Sequence, residues 1–431
     1  MNTNPAEAAL KSGMAERLAM LVPVLTGIYI FFNPFPHTTS IKETVFYLAV
    51  AIALGLWVFR KRPLIVDTPL TRALLLFIVW VVVTIPFAID KANTVHDIYS
   101  HLLRYLLLYI MIITYFETPR KLDRLVWLVV ISSAIFMCGV LYYYYGLLDN
   151  DLARRLATSK RAAGLMQTPI HVIGFIALAG SVFCLHYLSE PVSRMIKGCS
   201  FLCLLIFVSA LFLTQSRGII LGFIVSAGLF FLLKNRKMML AVVGLLVLLV
   251  FFTPVRNRLS PEEIVENVRI RIYWTMAEII KDYPVTGIGY GMASYAKLDA
   301  DAYDRKITDP AKKYKRGRGR RLFIADPHNW AIDLLVRTGP VGLILYLNVI
   351  VAFFRMAMPL ARTWNRSETK TWSICASSCF IGFLSAGLFV PTFTHMVEVL
   401  QYLILGIVTV AWRRHGQAMP DPSKTPGDRA A

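Results

Sequence analysis

The stretch FLCLLIFVSALFLTQSRGIILGFIVSAGLFFLLK, residues 201–234, decides which solvent this chain folds in. Two uncharged apolar runs, centred near residues 206 and 226, are joined by Thr214-Gln215-Ser216-Arg217 with almost no loop. Each run is close to the ~20 residues that an α-helix needs to cross the hydrocarbon core of a bilayer. Backbone amides cannot be left unpaired in lipid, so runs of this kind are expected as helices. The pattern reads as a transmembrane hairpin whose tight turn carries one arginine.

Outward from that hairpin the same ruler finds about twelve candidate spans, centred near residues 26, 51, 79, 109, 136, 178, 206, 226, 246, 348, 382 and 404. The expected fold class is an all-α polytopic integral membrane protein. Of 431 residues 56% are hydrophobic and only 17% charged, and the mean hydropathy is +0.57. A soluble domain carries nearer a quarter charged residues. The first run follows Lys11 and Arg17 and is expected to be retained as a span rather than cleaved. All six cysteines lie in or beside apolar runs, without the spacing of a zinc site or a disulfide framework, so neither metal nor disulfide is expected from them.

What the net charge of +20 means depends on where the positive residues sit. With a cytoplasmic N-terminus, the inside connections carry Arg60, Lys61, Arg62 and Arg72, then Arg120, Lys121 and Arg124, then Arg194 and Lys197. Lys234, Arg236 and Lys237 follow, then Arg355, Arg362, Arg366 and Lys370, and finally Arg413 and Arg414. This obeys the positive-inside rule and puts both termini in the cytoplasm. The chain then divides into spans one to nine with short loops over 1–254 and a large, partly helical outer loop over 255–338. Three more spans follow over 339–412, then a cytoplasmic tail over 413–431.

Two outer loops are basic against the rule. Residues 147–168 hold Arg154, Arg155, Lys160 and Arg161, and residues 255–326 hold 15 lysines and arginines against 10 acids. Long loops translocate regardless of charge. The short one is better explained by an anion bound outside. The run Lys312–Arg321 (KKYKRGRGRR) resembles a nucleic-acid tail in isolation. On the outer face of a membrane, phosphorylated lipid headgroups or saccharides are better partners, and no nucleic acid is expected. The bland alternative is a solvated loop.

Chemistry-bearing residues gather at the outer ends of the spans. Arg217 lies in the tight turn, where it can snorkel to water or, with Gln215 and Ser216, form an anion-binding corner; its planar fork suits phosphate. In Asn267-Val-Arg269-Ile-Arg271-Ile-Tyr-Trp274, two arginines sit at or just before an amphipathic helix expected over 272–280 and ended by Tyr283-Pro284. Backbone amides at such a start favour anions. Gly287-Ile-Gly289-Tyr-Gly291 reads as a flexible turn where backbone can approach a ligand, and is weak as a nucleotide fingerprint. In Asp326-Pro327-His328-Asn329-Trp330, His328 opens a second amphipathic helix ending at Gly339-Pro340. A helix start disfavours imidazolium and keeps the ring a base. The other seven histidines read as structural, with a reservation for His171 and His395 at the outer face. Tyr290 and Trp330 can stack on sugar or simply pack.

The ordered set TQSRG, RIRIYW…DYPVTGIGYG and DPHNWAIDLLVRTGPVG, over about residues 211–345, resembles the O-antigen ligase and polymerase superfamily. The resemblance implies a GT-C-like membrane fold with an active site on the periplasmic side of the bacterial inner membrane. Ligases of that family join polysaccharide carried on undecaprenyl pyrophosphate to the lipid A-core of lipopolysaccharide, and depend on two arginines and a histidine. Motif by motif these correspond to Arg217, Arg269 or Arg271, and His328. Counting back from Pro284 favours Arg269, whereas the distance to Trp274 favours Arg271. What the resemblance implies is metal-independent, inverting transfer without a cofactor. His328 is the base and the arginines hold the pyrophosphate, with Arg154, Arg155, Lys160 and Arg161 assisting. Implied partners are the lipid-linked donor, the lipid A-core acceptor, membrane lipids and other O-antigen assembly proteins.

Alternatives within the superfamily are the polymerase and the protein O-oligosaccharyltransferase. From another class, a lipid-linked glycan transporter or flippase normally places ionisable residues at mid-membrane. Here the span centres hold almost none, apart from Arg104 in the fourth span, and Glu398 lies near the outer end of the twelfth. A membrane scaffold accounts for neither the arginines nor His328.

Overall fold

A computed structural model describes residues 5–59, 63, 65–148, 164–165, 168–235, 239–240, 244, 268–308, 326–363 and 367–418. The span expected near 246, the loop residues Arg154, Arg155, Lys160 and Arg161, and the run Lys312–Arg321 lie outside the described residues. So do Arg60, Lys61, Arg62, Arg236, Lys237 and Arg366.

Helices occur at each of the other expected span centres. They are α1 (Pro5–Phe32), α2 (Thr39–Val58), α3 (Pro69–Val83), α4 (Lys91–Asp97), α5 (Arg104–Tyr115), α6 (Pro119–Tyr142), α7 (Ile170–Ser189), α8 (Arg194–Thr214) and α9 (Arg217–Lys234). Two short helices, α10 (Val268–Asp282) and α11 (Ala300–Lys306), precede α12 (Trp330–Arg362), α13 (Glu368–Gly387) and α14 (His395–Ala418). Among the described residues, nine helical segments are long and apolar enough to cross a membrane; Pro69–Val83 is apolar but shorter. Strand pairing among the described residues is confined to Gly164–Leu165 against Thr168–Pro169. The chain is an all-α, multi-pass membrane protein.

Sequence explains which helices are central. α7 and α14 are mostly buried, whereas α1, α2 and α8 turn most of their surface outward, where lipid takes the place of protein contacts. α9 lies along α13 and α14 lies between α5 and α13. The α9–α13 contact depends on small residues. A Cβ on Gly218 would lie 2.7 Å from the Phe389 Cβ, and one on Gly222 would lie 2.6 Å from the Gly382 carbonyl oxygen. Ser226 donates across the same seam to the Ser378 carbonyl at 2.7 Å. Lipid supplies no hydrophobic drive between helices, so close backbone approach and inter-helix hydrogen bonds set such contacts. The glycine of Ser216-Arg217-Gly218 is thus required by packing.

α4 and α5 form one bent rod joined by a π-helical turn, Ile98–Leu103. Arg104, just past that turn, is held by Glu43 through two hydrogen bonds of 2.8 and 2.6 Å. A charge in a span is costly unless paired, and Glu43 supplies the pair. α12 breaks at Gly339 (φ 69°), which separates the amphipathic Trp330–Thr338 part from the apolar part that starts at Pro340. A side chain at Gly339 would run into the Val285 carbonyl. A second, small core lies beside this break: Met276, Ile279, Ile288, Tyr295, Ala300 and Val336.

Candidate functional site

The sequence motifs converge at the end of the bundle where α9 and α12 begin, which we call the site end. Arg217 is the first residue of α9 and is partly exposed. Gln215 is forced into the left-handed region (φ 44°) to close the turn, and both Gln215 and Ser216 are buried. The α9 start rests on the end of α13 through Gly218 and Phe389. Trp330 reaches the same end of α13, donating from Nε1 to the Leu384 carbonyl at 3.1 Å, and its ring edge lies against Gly387. Residues 384–389 therefore form a floor shared by the Arg217 and His328 motifs.

His328 differs from the expectation that it opens a helix. Asn329 is the N-cap, its Oδ1 accepting from the amides of Ala331 (3.0 Å) and Ile332 (3.2 Å), and the helix starts at Trp330. His328 sits before the cap with φ 55°. That turn brings it back onto Asp326. Its amide donates to Asp326 Oδ1 at 2.7 Å, and its Nδ1 contacts the same oxygen. The His328 side chain is 40% exposed, so the ring remains reachable. A carboxylate on Nδ1 fixes the neutral tautomer with the proton there, leaving the Nε2 lone pair as the base. Asp326, and not the helix start, is the orienting group; the sequence signal was an acid two residues before the histidine, with a proline between them.

Arg269 and Arg271 fall inside helix α10, which begins four residues before the expected 272. They are two residues apart, so about 200° around the helix.

The glycine-rich turn is corrected by the structure. Its backbone approaches protein, not a ligand-sized gap. Gly287 and Gly289 have φ of 68° and 106°, and a Cβ on Gly289 would lie 2.5 Å from the Ala88 Cβ. Ile288 pairs with Ile89 on one side, accepting at 2.9 Å, and with Val336 on the other, donating at 2.9 Å. The turn is a strap laid between residues 85–97 and the start of α12. Tyr290 within it is 1% exposed and cannot offer a face to sugar. Its carbonyl accepts from Arg337, whose guanidinium carbon also lies 4.3 Å from the Tyr290 ring centre. Arg337 in turn holds Asp333 at 3.1 Å, and Asp333 accepts from the Tyr295 hydroxyl at 2.8 Å. Burial pushes the Tyr295 phenol well above its usual range, so it stays a donor. Sequence reasoning gave Asp333 and Arg337 no role, although their i,i+4 spacing is a usable signal. Trp330 is anchored by its ring nitrogen and packs on Tyr346, so packing explains it.

These features define a multi-pass helical membrane protein with an oriented histidine and an arginine-bearing turn at one end of its bundle. Residues 201–347 match the family model described as O-antigen ligase. This match supports membership of the O-antigen ligase and polymerase superfamily, whose members are glycosyltransferase-like enzymes. No curated protein matches the chain.

Proposed function

We propose that the protein is an O-antigen ligase of the bacterial inner membrane, with both termini cytoplasmic and the site end in the periplasm. The observation that carries this reading is the Asp326–His328 pair set beside the Arg217 turn on the end of α13. The donor is polysaccharide on undecaprenyl pyrophosphate and the acceptor is a hydroxyl of the lipid A-core. His328 Nε2 takes the proton of that hydroxyl, and the oxygen attacks the anomeric carbon. The bond to the pyrophosphate oxygen breaks with inversion, and undecaprenyl pyrophosphate leaves with the bonding electrons. Asp326 stabilises the imidazolium until the proton passes to solvent. Arg217 and Arg269 hold the pyrophosphate charge by charge-assisted hydrogen bonds. With this charge held by guanidinium groups, the step requires no metal. Arg154, Arg155, Lys160, Arg161 and Arg271 are further contacts for the anionic substrates in this proposal.

The test combines purified protein, undecaprenyl-pyrophosphate-linked glycan and lipid A-core, comparing the native chain with His328→Ala. Capped lipopolysaccharide that disappears in the variant, with donor binding retained, is the expected result. Growth of the donor chain without transfer to lipid A-core would reassign the protein as a polymerase. Neither product would end the enzyme reading.

A further inference from the structure

We propose that His101, His395 and Glu398 form a binding site for one divalent transition-metal ion of the zinc class, separate from the Asp326–His328 pair. One ligand atom from each of the three lies within 4.8 Å of the other two. They come from two helical segments far apart in sequence: His101 from the π-helical turn before α5, and His395 and Glu398 from the first turn of α14. The imidazole rings stack with centres 4.0 Å apart and planes 15° apart. Glu398 Oε2 lies 2.5 Å from His101 Nδ1, and the Tyr105 hydroxyl lies 2.8 Å from His395 Nδ1.

Two imidazoles and one carboxylate are a donor set that suits zinc, with the fourth position left to water. Ligand atoms around a tetrahedral zinc ion are roughly 3.3 Å apart, as follows from zinc–ligand bonds of about 2.0–2.1 Å. An imidazole lone pair lies in its ring plane, so ligation requires the exposed His395 ring to turn out of its stack on His101 as the three groups draw in from 4.8 Å. The Tyr105 contact also fits: an oxygen partner on one ring nitrogen orients the other as ligand. His101 and Glu398 are buried, but His395 is exposed, which gives an ion a route in. The hydroxyls of Ser100 and Thr394, each adjacent in sequence to one of the histidines, are buried without a hydrogen-bond partner among the described residues. The nearby cation Arg104 is already neutralised by Glu43. π-Helical turns are rare and recur at functional sites, and this one places the His101 ring against α14. A bound ion would clamp the first turn of α14 to the α4–α5 bend.

The probe is zinc chloride added to the full-length chain in nanodiscs, with any histidine tag removed. Metal content is measured after gel filtration, and thermal unfolding with and without zinc. About one zinc per chain is expected, together with a zinc-dependent rise in Tm, because an ion that binds only the folded state stabilises it. His395→Ala and Glu398→Gln should lose both effects while still unfolding cooperatively without zinc. His328→Ala should keep both. Cobalt in place of zinc on the native chain should give the visible absorption of a four-coordinate nitrogen–oxygen site, a readout that needs no variant. Zinc content equal in the native chain and both cluster variants, or cobalt spectra of the free hexa-aqua ion, would overturn the proposal. Because transfer is not the readout, failure here leaves the ligase reading untouched, and loss of the ligase reading leaves this site standing.

Discussion

The Nε of Arg337 donates to the backbone carbonyl of Tyr290 at 2.7 Å, and this bond ties the start of α12 to the strap beneath it. The same guanidinium pairs with Asp333, so one fully buried cation serves two elements. Removing one partner of a buried pair leaves the other charge uncompensated, which costs roughly 3–5 kcal/mol. Arg337→Ala should therefore lower stability by about that amount, read as a fall in Tm in detergent. It should also expose residues 287–297 to protease at temperatures where the native strap resists.

Asp326→Asn keeps the size of the side chain but presents an amide to His328, which favours the wrong tautomer. Transfer should fall by about 10²–10⁴-fold, the usual worth of a positioned base, with donor affinity unchanged. A parallel loss in kcat and in donor binding would show that Asp326 shapes the loop instead.

Gly339→Ala places a side chain at φ 69° against the Val285 carbonyl. The left-handed conformation alone costs roughly 1–2 kcal/mol for a residue with a Cβ. The clash adds to this, and Val285 belongs to the segment leading into the strap. The variant is expected to insert in the membrane at normal levels but to unfold at lower temperature. An unchanged Tm would show that the break in α12 tolerates a side chain.

A pH effect is expected outside the spans. The Lys306 ammonium donates to Asp282 at 2.7 Å and joins the end of α10 to α11. This hydrogen bond holds the Asp282 carboxyl below its ordinary value. A lowered folded-state pKa gives stability that is complete above the unfolded value, roughly 3.9, and is lost as pH falls through the folded one. The Tm difference between the native chain and Asp282→Asn should thus be constant above about pH 5 and close below about pH 4. A difference that persists in acid would assign the effect to packing.

Much of the fold could be read from apolar run length, because lipid leaves so few alternatives to a helix of about 20 residues. The motif residues were visible too, but not all of their relationships. His328 reads as a helix start until its positive φ folds it onto Asp326. The glycines at 287 and 289 read as room for a ligand, whereas that room is taken by Ala88 and the backbone at Val336. Tyr290 carries an aromatic ring in a polar-looking loop, and only tertiary packing shows that it is buried. His101 and Glu398 are 297 residues apart, beyond any local pattern.

The floor at residues 384–389 has a consequence for the order of synthesis. α13 leaves the ribosome after the residues of the Arg217 and His328 motifs, and both motifs rest on its end. During translation, the arginine turn and the histidine loop exist for a time without the surface that sets their spacing. The two motifs therefore come to rest on a common surface only once α13 has been inserted.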